Sequence, residues 1–211
     1  MIFNDHSKLE GKHAFLGASS FRWINWNDEV FENRYYGQFA SAKGTCIHNL
    51  ANNLIKSRIR LTEMDSKIIE LSLFQAGIPR NAYDSKEILL NMMPFVNDAI
   101  GFRMVSEVIL FYSINCFGTT DAISYNEKQK FLRIHDLKTG LTPSHMEQLL
   151  IYAALFCLEY RKKPADLKME LRIYQNFEIL THIPESAEIE KFMHMIISRN
   201  KTIQKYIERE V

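Results

Sequence analysis

The chain has 211 residues, of which 46% are hydrophobic and 24% charged, with a formal net charge of +1. This balance fits one globular domain with a sizeable core and excludes a chain that binds nucleic acid through overall basicity; any grip on phosphate must come from locally concentrated positive charge. The three cysteines, Cys46, Cys116 and Cys157, are widely spaced and form no C-x-x-C, which points to free thiols in a reduced, cytoplasmic setting.

No apolar run approaches the ~18 residues that would span a bilayer, so no membrane partner is expected. The polar, mixed-charge stretch Met1 to Gly11 carries no targeting pattern and reads as a loose lead-in. Ser19 or Ser20 is expected to cap a short helix bearing Phe21, Trp23 and Ile24. Residues 27–43 are polar and aromatic and read as an exposed loop. A helix is expected from about Lys43 to Arg58, with Ile47, Leu50, Ala51, Leu54 and Ile55 as its buried stripe. Two further helices, Thr62 to Ala76 and Asp84 to Asp98, flank the breaker Gly77-Ile78-Pro79-Arg80. Glu63, Asp65, Glu70 and Glu87 on them read as a solvated face.

Arg103 to Ile114 reads as the first strand, with Val105, Glu107, Ile109 and Phe111 on one face. Cys116 to Tyr125 is a second, rich in aromatic and β-branched residues. The polar turn Asn126 to Lys130 joins it to a third, which starts at Phe131, and Gly140 and Pro143 end that strand. His145 to Arg161 is a helix that is apolar almost all round and therefore buried. Leu167 to Ile173 and Phe177 to Ile183 are short strands, and Pro184-Glu185-Ser186 opens a final helix to about Glu210.

The chemistry lies on the hairpin. In the third strand Leu132, Ile134, Asp136 and Lys138 share a face, because side chains alternate with period 2. That face starts apolar and ends in a carboxylate and an ammonium, and a charge leaving water needs a partner or a metal. Asp121 lies five residues before the turn and Asp136 six after it. Antiparallel pairing therefore sets them close to opposite one another. Two carboxylates at one point repel unless a cation lies between them, and oxygen ligands favour Mg²⁺ or Mn²⁺. A metal beside two Asp and one Lys suits phosphodiester hydrolysis.

At these positions the chain resembles a known family. Gly118 to Asp121 (G-x-x-D), Asp136 to Gly140 (D-x-K-T-G) and Gln148 to Tyr152 (Q-x-x-x-Y) follow, in order, the motifs of the RecB-like and phage-exonuclease branch of the PD-(D/E)XK nuclease superfamily. The resemblance implies an α/β (α+β) restriction-endonuclease-like core, a central mixed sheet flanked by helices, within a single domain of residues 1–211. Residues 1–100 would be a mainly helical N-terminal part, 101–185 the catalytic sheet core and 186–211 the C-terminal helix.

It further implies metal ligation by Asp121, Asp136 and the Leu137 carbonyl, with Lys138 positioning or activating the attacking water. Gln148 and Tyr152, at i and i+4 on one helical face, would line the DNA path. Gly44-Thr45-x-x-His48 is similar to the family's upstream histidine motif, which adds a metal ligand. Glu107 would reach a metal or its water, or else only hydrogen-bond within the sheet. Ser20 and Arg22 are similar to an entry segment that approaches a DNA phosphate. Iron–sulfur members of the family use four cysteines, which this chain does not supply.

The expected activity is a Mg²⁺- or Mn²⁺-dependent exonuclease on duplex DNA ends, of the kind used in phage or mobile-element recombination. The resemblance allows a single-strand annealing partner and a homo-oligomer. An endonuclease of the same fold, or a catalytically silent DNA-binding or assembly module, are the alternatives. In the plainest reading, Asp121 and Lys138 form an ordinary ion pair and Tyr152 is core, which leaves Asp136 and Gln148 unexplained.

Overall fold

The computed structural model describes residues 4–140 and 144–210; Pro143, expected to help end the third strand, lies outside the described residues. Five strands form one sheet in sequence order: β1 (Val105–Ser113), β2 (Cys116–Asn126), β3 (Phe131–Leu137), β4 (Lys168–Gln175) and β5 (Glu178–His182). The first three run as an antiparallel meander. A polar turn with Lys130 at positive φ links β2 to β3. β3 and β4 are parallel, a geometry that requires a crossover, and helix α5 (Glu147–Glu159) lies within it. β5 returns antiparallel beside β4.

Helices cover both faces. On one, α2 (Ala40–Ser57), α3 (Ser66–Gln75) and α4 (Ser85–Gly101) bury Ile47, Ala51, Leu54, Ile69, Leu73, Met92, Phe95 and Ala99 against Ala122, Leu137 and Tyr174 of the sheet. On the other, α5 and α6 (Ser186–Glu210) bury Leu149, Leu150, Ala153, Ala154 and Ile189 against Ile123, Leu132, Ile134, Leu171 and Ile173. The alternation of β3 explains both cores, since Ile134 faces α5 while its neighbour His135 faces the other side. Truncating such a residue as Ile134 to Ala would cost about 2–5 kcal/mol. α5 is apolar nearly all round because the sheet takes one side and α6 another; Ile151 on it is exposed.

Three expectations are corrected. Residues 27–43 are not a loop: Asp28–Gly37 is helix α1, opened by Asn27, whose side chain accepts the Val30 N–H at 2.9 Å. Asn27 followed by Asp28 and Glu29 is a capping and dipole signal, masked in the sequence by the absence of an apolar stripe. The second correction is at Ala18–Asn25, a 3₁₀ segment led by Gly17, with Ser20 out of helical conformation inside it and no side-chain cap. Phe21 and Ile24 on it are exposed. The third concerns β1, whose apolar-looking face of Val105, Ile109 and Phe111 is the exposed one; Ser106 and Leu110 are buried instead.

Among the described residues, no helix is long and apolar enough to cross a membrane.

Candidate active site

The last β2–β3 pair is Ala122 with His135. One step further along the same register sets Asp121 across from Asp136, at the end of the sheet where β3 stops. Asp121 Oδ2 accepts the Leu137 N–H at 2.8 Å, so the β2 carboxylate replaces a backbone acceptor and ties off the end of β3. Asp136 is only 3% exposed. Lys138 Nζ stands 2.9 Å from Asp136 Oδ2, near enough for an ion pair, yet that oxygen accepts no aligned hydrogen bond. Burial foremost, and then the neighbouring Asp121 charge, push the Asp136 carboxyl up to about 6, against the opposing pull of Lys138.

α5 supplies the support for Lys138. Its ammonium donates to Gln148 Oε1 at 2.6 Å, Gln148 Nε2 donates to Tyr152 Oη at 3.2 Å, and Tyr152 Oη donates to the Thr119 carbonyl at 2.7 Å. The i,i+4 spacing of Gln148 and Tyr152 makes this relay possible. It answers the question of what a half-buried glutamine does on an apolar helix. It also separates Lys138 from the plainest reading, since Lys138 pairs with Asp136 rather than Asp121.

From the opposite layer, α2 brings His48, whose Nδ1 lies 3.4 Å from Asp121 Oδ2. The bond to Asp121 raises the imidazole's affinity for a proton; burial opposes, and the charges of Asp121, Asp136 and Glu107 add to the rise. Gly44, one turn earlier on α2, lies against Thr139: a Cβ there would stand 3.2 Å from Thr139 Oγ1. The G-T-x-x-H stretch and the D-x-K-T-G stretch are therefore packed together.

Glu107 is bracketed by the pairs Ser106–Ala122 and Val108–Thr120, which put it across β1–β2 from Asp121. Its φ is +56°, a left-handed value that a non-glycine residue adopts in a strand only at a cost of order 1–3 kcal/mol. The strand changes face there. Ser106 Oγ bonds Asn52 on α2 at 2.6 Å, whereas Val108 and Leu110 both pack on the α5 side. Glu107 itself is exposed, and it makes no side-chain hydrogen bond within the sheet among the described residues.

Beyond the site, Gln175 holds the ends of the segment that follows β3. Its Nε2 donates to the Gly140 carbonyl at 2.6 Å, and its Oε1 accepts from Ser144 N and Oγ at 3.1 and 2.7 Å. Sequence reasoning missed this residue, because a glutamine at a strand end carries no local signal. Behind Asp136, His135 is fully buried, 3.2 Å from Tyr174 Oη. Burial, with Arg172 and Arg133 nearby, holds its imidazole down at about 3, hence neutral. Asp98 of α4 accepts from both Tyr174 Oη (2.7 Å) and Arg172 (2.9 Å), so this second network clamps β4 to α4.

Ser20 and Arg22 are exposed on the Ala18–Asn25 segment and line a shallow surface hollow with Arg34 and Trp26. Arg34 is a basic residue that sequence reasoning passed over. No hydrogen bond or ion pair among the described residues joins Ser20 or Arg22 to the carboxylate pair.

The donor set suits a hard divalent cation. A buried carboxylate with the Lys138 ammonium beside its Oδ2 and a second carboxylate next to it are the oxygen ligands such an ion takes, and the His48 imidazole adds a nitrogen donor beside them. Among the described residues, no three His, Cys, Asp or Glu side chains already stand as a ligand group. Instead, Asp121 is turned to His48 and the Leu137 amide, and Asp136 to Lys138. Set against known protein families, curated proteins and solved structures, the chain matches none of them.

Proposed function

We propose that this protein is a divalent-metal-dependent deoxyribonuclease with a PD-(D/E)XK-type core, acting as an exonuclease on duplex ends. The observation that carries the reading is the buried Asp136, set across from Asp121 and beside an ammonium that α5 holds in place. A fold with no chemistry to perform gains nothing from two adjacent carboxylates, one of them desolvated. This argues against a silent module. The mixed sheet with β3 and β4 parallel supports the fold expectation.

In this reading His48, Asp121, Asp136 and the Leu137 carbonyl hold Mg²⁺ or Mn²⁺, with Glu107 at the margin. The ion, when bound, lowers the pKa of water and offsets charge on phosphate. Lys138 orients the nucleophile or stabilises the phosphate charge that builds in the transition state. Gln148 and Tyr152 fix the ammonium's direction and line the strand path, and Ser20 and Arg22 offer phosphate contacts. The substrate partner is DNA; a single-strand annealing protein and further copies of this chain are partners that the family resemblance allows.

Digestion of linear duplex DNA labelled at either end, with Mg²⁺, Mn²⁺ or EDTA, tests the reading. Metal-dependent release of label from linear DNA, with closed circular DNA left intact, is the expected result. Cutting of closed circles would make it an endonuclease, and cutting of neither would end the enzyme reading.

A further inference from the structure

A cavity of about 330 Å³ opens directly beside the candidate site, between α2, the start of α4 and the end of β3. That size lies at the lower end of small-molecule sites, roughly 300–1,000 Å³. Leu137, Lys138 and Thr139 form one wall, so the cavity shares Lys138 with the carboxylate site. The other walls come from the helical region before the sheet.

Its lining divides by chemistry. Ile47, Met92 and Leu137 are buried and apolar, a surface suited to the face of a flat ring. Glu87 and Asn91 line it as polar groups. The Glu87 carboxylate has no hydrogen-bond or ion-pair partner among the described residues, although its backbone N–H is taken by the Asp84 cap at 3.2 Å. Asn91 spends its Oδ1 on the Phe177 N–H at 2.6 Å, which leaves its Nδ2 available as a donor. Lys43 also lines the cavity, with its Nζ 3.3 Å from the Ala82 carbonyl. A bare oxyanion would use the lysines but neither the apolar floor nor a carboxylate. An apolar ligand would make use of neither the Glu87 carboxylate nor the Asn91 amide.

We infer that this cavity is a nucleobase slot: it takes one base of the DNA strand whose phosphate lies at Lys138, with the base's N–H-bearing edge against Glu87. The inference rests on the nuclease reading, because that reading sets the phosphate at Lys138. A carboxylate only accepts hydrogen bonds. The pairing edge of guanine offers it two adjacent N–H donors, whereas thymine offers one N–H flanked by two carbonyl oxygens that repel it. The slot therefore favours guanine and disfavours thymine at the position it reads.

The test is calorimetric titration of the protein, without metal, with dGMP, dTMP and deoxyribose 5-phosphate. dGMP should bind roughly tenfold or more tightly than either of the other two, the scale of one good bidentate contact. Ala82→Phe, which fills the cavity wall, should lose most dGMP affinity. Glu87→Gln changes only an exposed side chain without partners and should level dGMP with dTMP. Equal binding of dGMP and deoxyribose 5-phosphate overturns the slot, as does unchanged selectivity in Glu87→Gln. Cleavage of labelled linear duplex by the wild-type protein is scored in parallel. Selective dGMP binding without cleavage would support the slot and remove the nuclease reading, and cleavage without selective binding would remove the slot alone.

Discussion

Gly118 and Tyr152 are in contact in a way that only glycine permits: a Cβ on Gly118 would come 2.8 Å from Tyr152 Cε1. The first residue of the G-x-x-D stretch thus makes room for the last residue of Q-x-x-x-Y. That room lets Tyr152 reach the Thr119 carbonyl and close the relay to Lys138. Gly118→Ala should displace the ring at a cost of about 1–3 kcal/mol. In a Tyr152→Ala background most of that cost should vanish, because the two sites are one contact. A double-mutant cycle by chemical denaturation measures it, and additive effects would show that the ring does not hold this position.

Asp136 makes a prediction about stability and pH. Its carboxyl is held at about 6 against an ordinary 3.8. Between those values the folded state binds a proton that the unfolded chain has released. The difference in bound protons, unfolded minus folded, is then negative, so stability from this group falls as pH rises from about 4 through 6. Asp136→Asn, which carries no charge to desolvate, should melt higher than wild type in EDTA above about pH 6 and converge with it towards pH 4. The same variant should lose cleavage. A lower melting temperature at pH 7.5 would mean that the pair with Lys138 outweighs the desolvation.

Much of the sheet was legible because period-2 patterning and a polar turn determine a hairpin almost without tertiary help. Asp121 and Asp136 face each other for that reason. β1 misled because apolar residues at Val105, Ile109 and Phe111 look like a core face, while the bend at Glu107 and a sheet edge leave them exposed. α1 escaped notice because its faces are mixed and only its cap marks it. The Gln148–Tyr152 spacing was readable, but its partners were not: whether a glutamine meets a lysine, and whether a glycine meets a ring, depends on how α5 crosses the sheet. The cavity behind Lys138 had no sequence signal at all, since its walls come from three distant segments.

His48 leads to a prediction about metal uptake. A metal takes the neutral imidazole and the charged carboxylate, so it competes with protons at His48, raised by Asp121, and at Asp136, raised by burial. Mn²⁺ affinity should therefore climb between about pH 5.5 and pH 8, with proton release detectable as a buffer-dependent heat. His48→Asn should weaken Mn²⁺ at least as much as the ~10–100-fold typical of losing an outer-sphere partner. It should also flatten the pH dependence. An unchanged titration would remove His48 from the ligand set.

Affinity for DNA should be steeply salt-dependent despite the near-zero net charge. Phosphate contacts at Arg22 and Arg34 would each release condensed counterion, with a slope of roughly 0.9 per contact in a log–log plot. Arg22→Ala and Arg34→Ala should each reduce that slope by about one unit. A slope that neither change alters would take the hollow around Trp26 out of the DNA path.

Lys138 carries the sharpest test. Its ammonium is 2.9 Å from the buried Asp136 and 2.6 Å from Gln148, so it is aimed rather than free. In both roles open to it, orienting the nucleophile or offsetting charge on the phosphate, its effect falls on the transition state and not on metal binding. Lys138→Ala should lose most single-turnover cleavage while its Mn²⁺ and DNA affinities stay near wild type. Lys138→Arg should recover little, because the planar guanidinium cannot take the place of a compact ammonium between Asp136 and Gln148. Gln148→Ala keeps the ammonium but frees its direction, and should fall between wild type and Lys138→Ala. If Lys138→Ala cuts nearly as fast as wild type, neither role holds, and the Lys138–Asp136 pair is a structural ion pair at the end of β3.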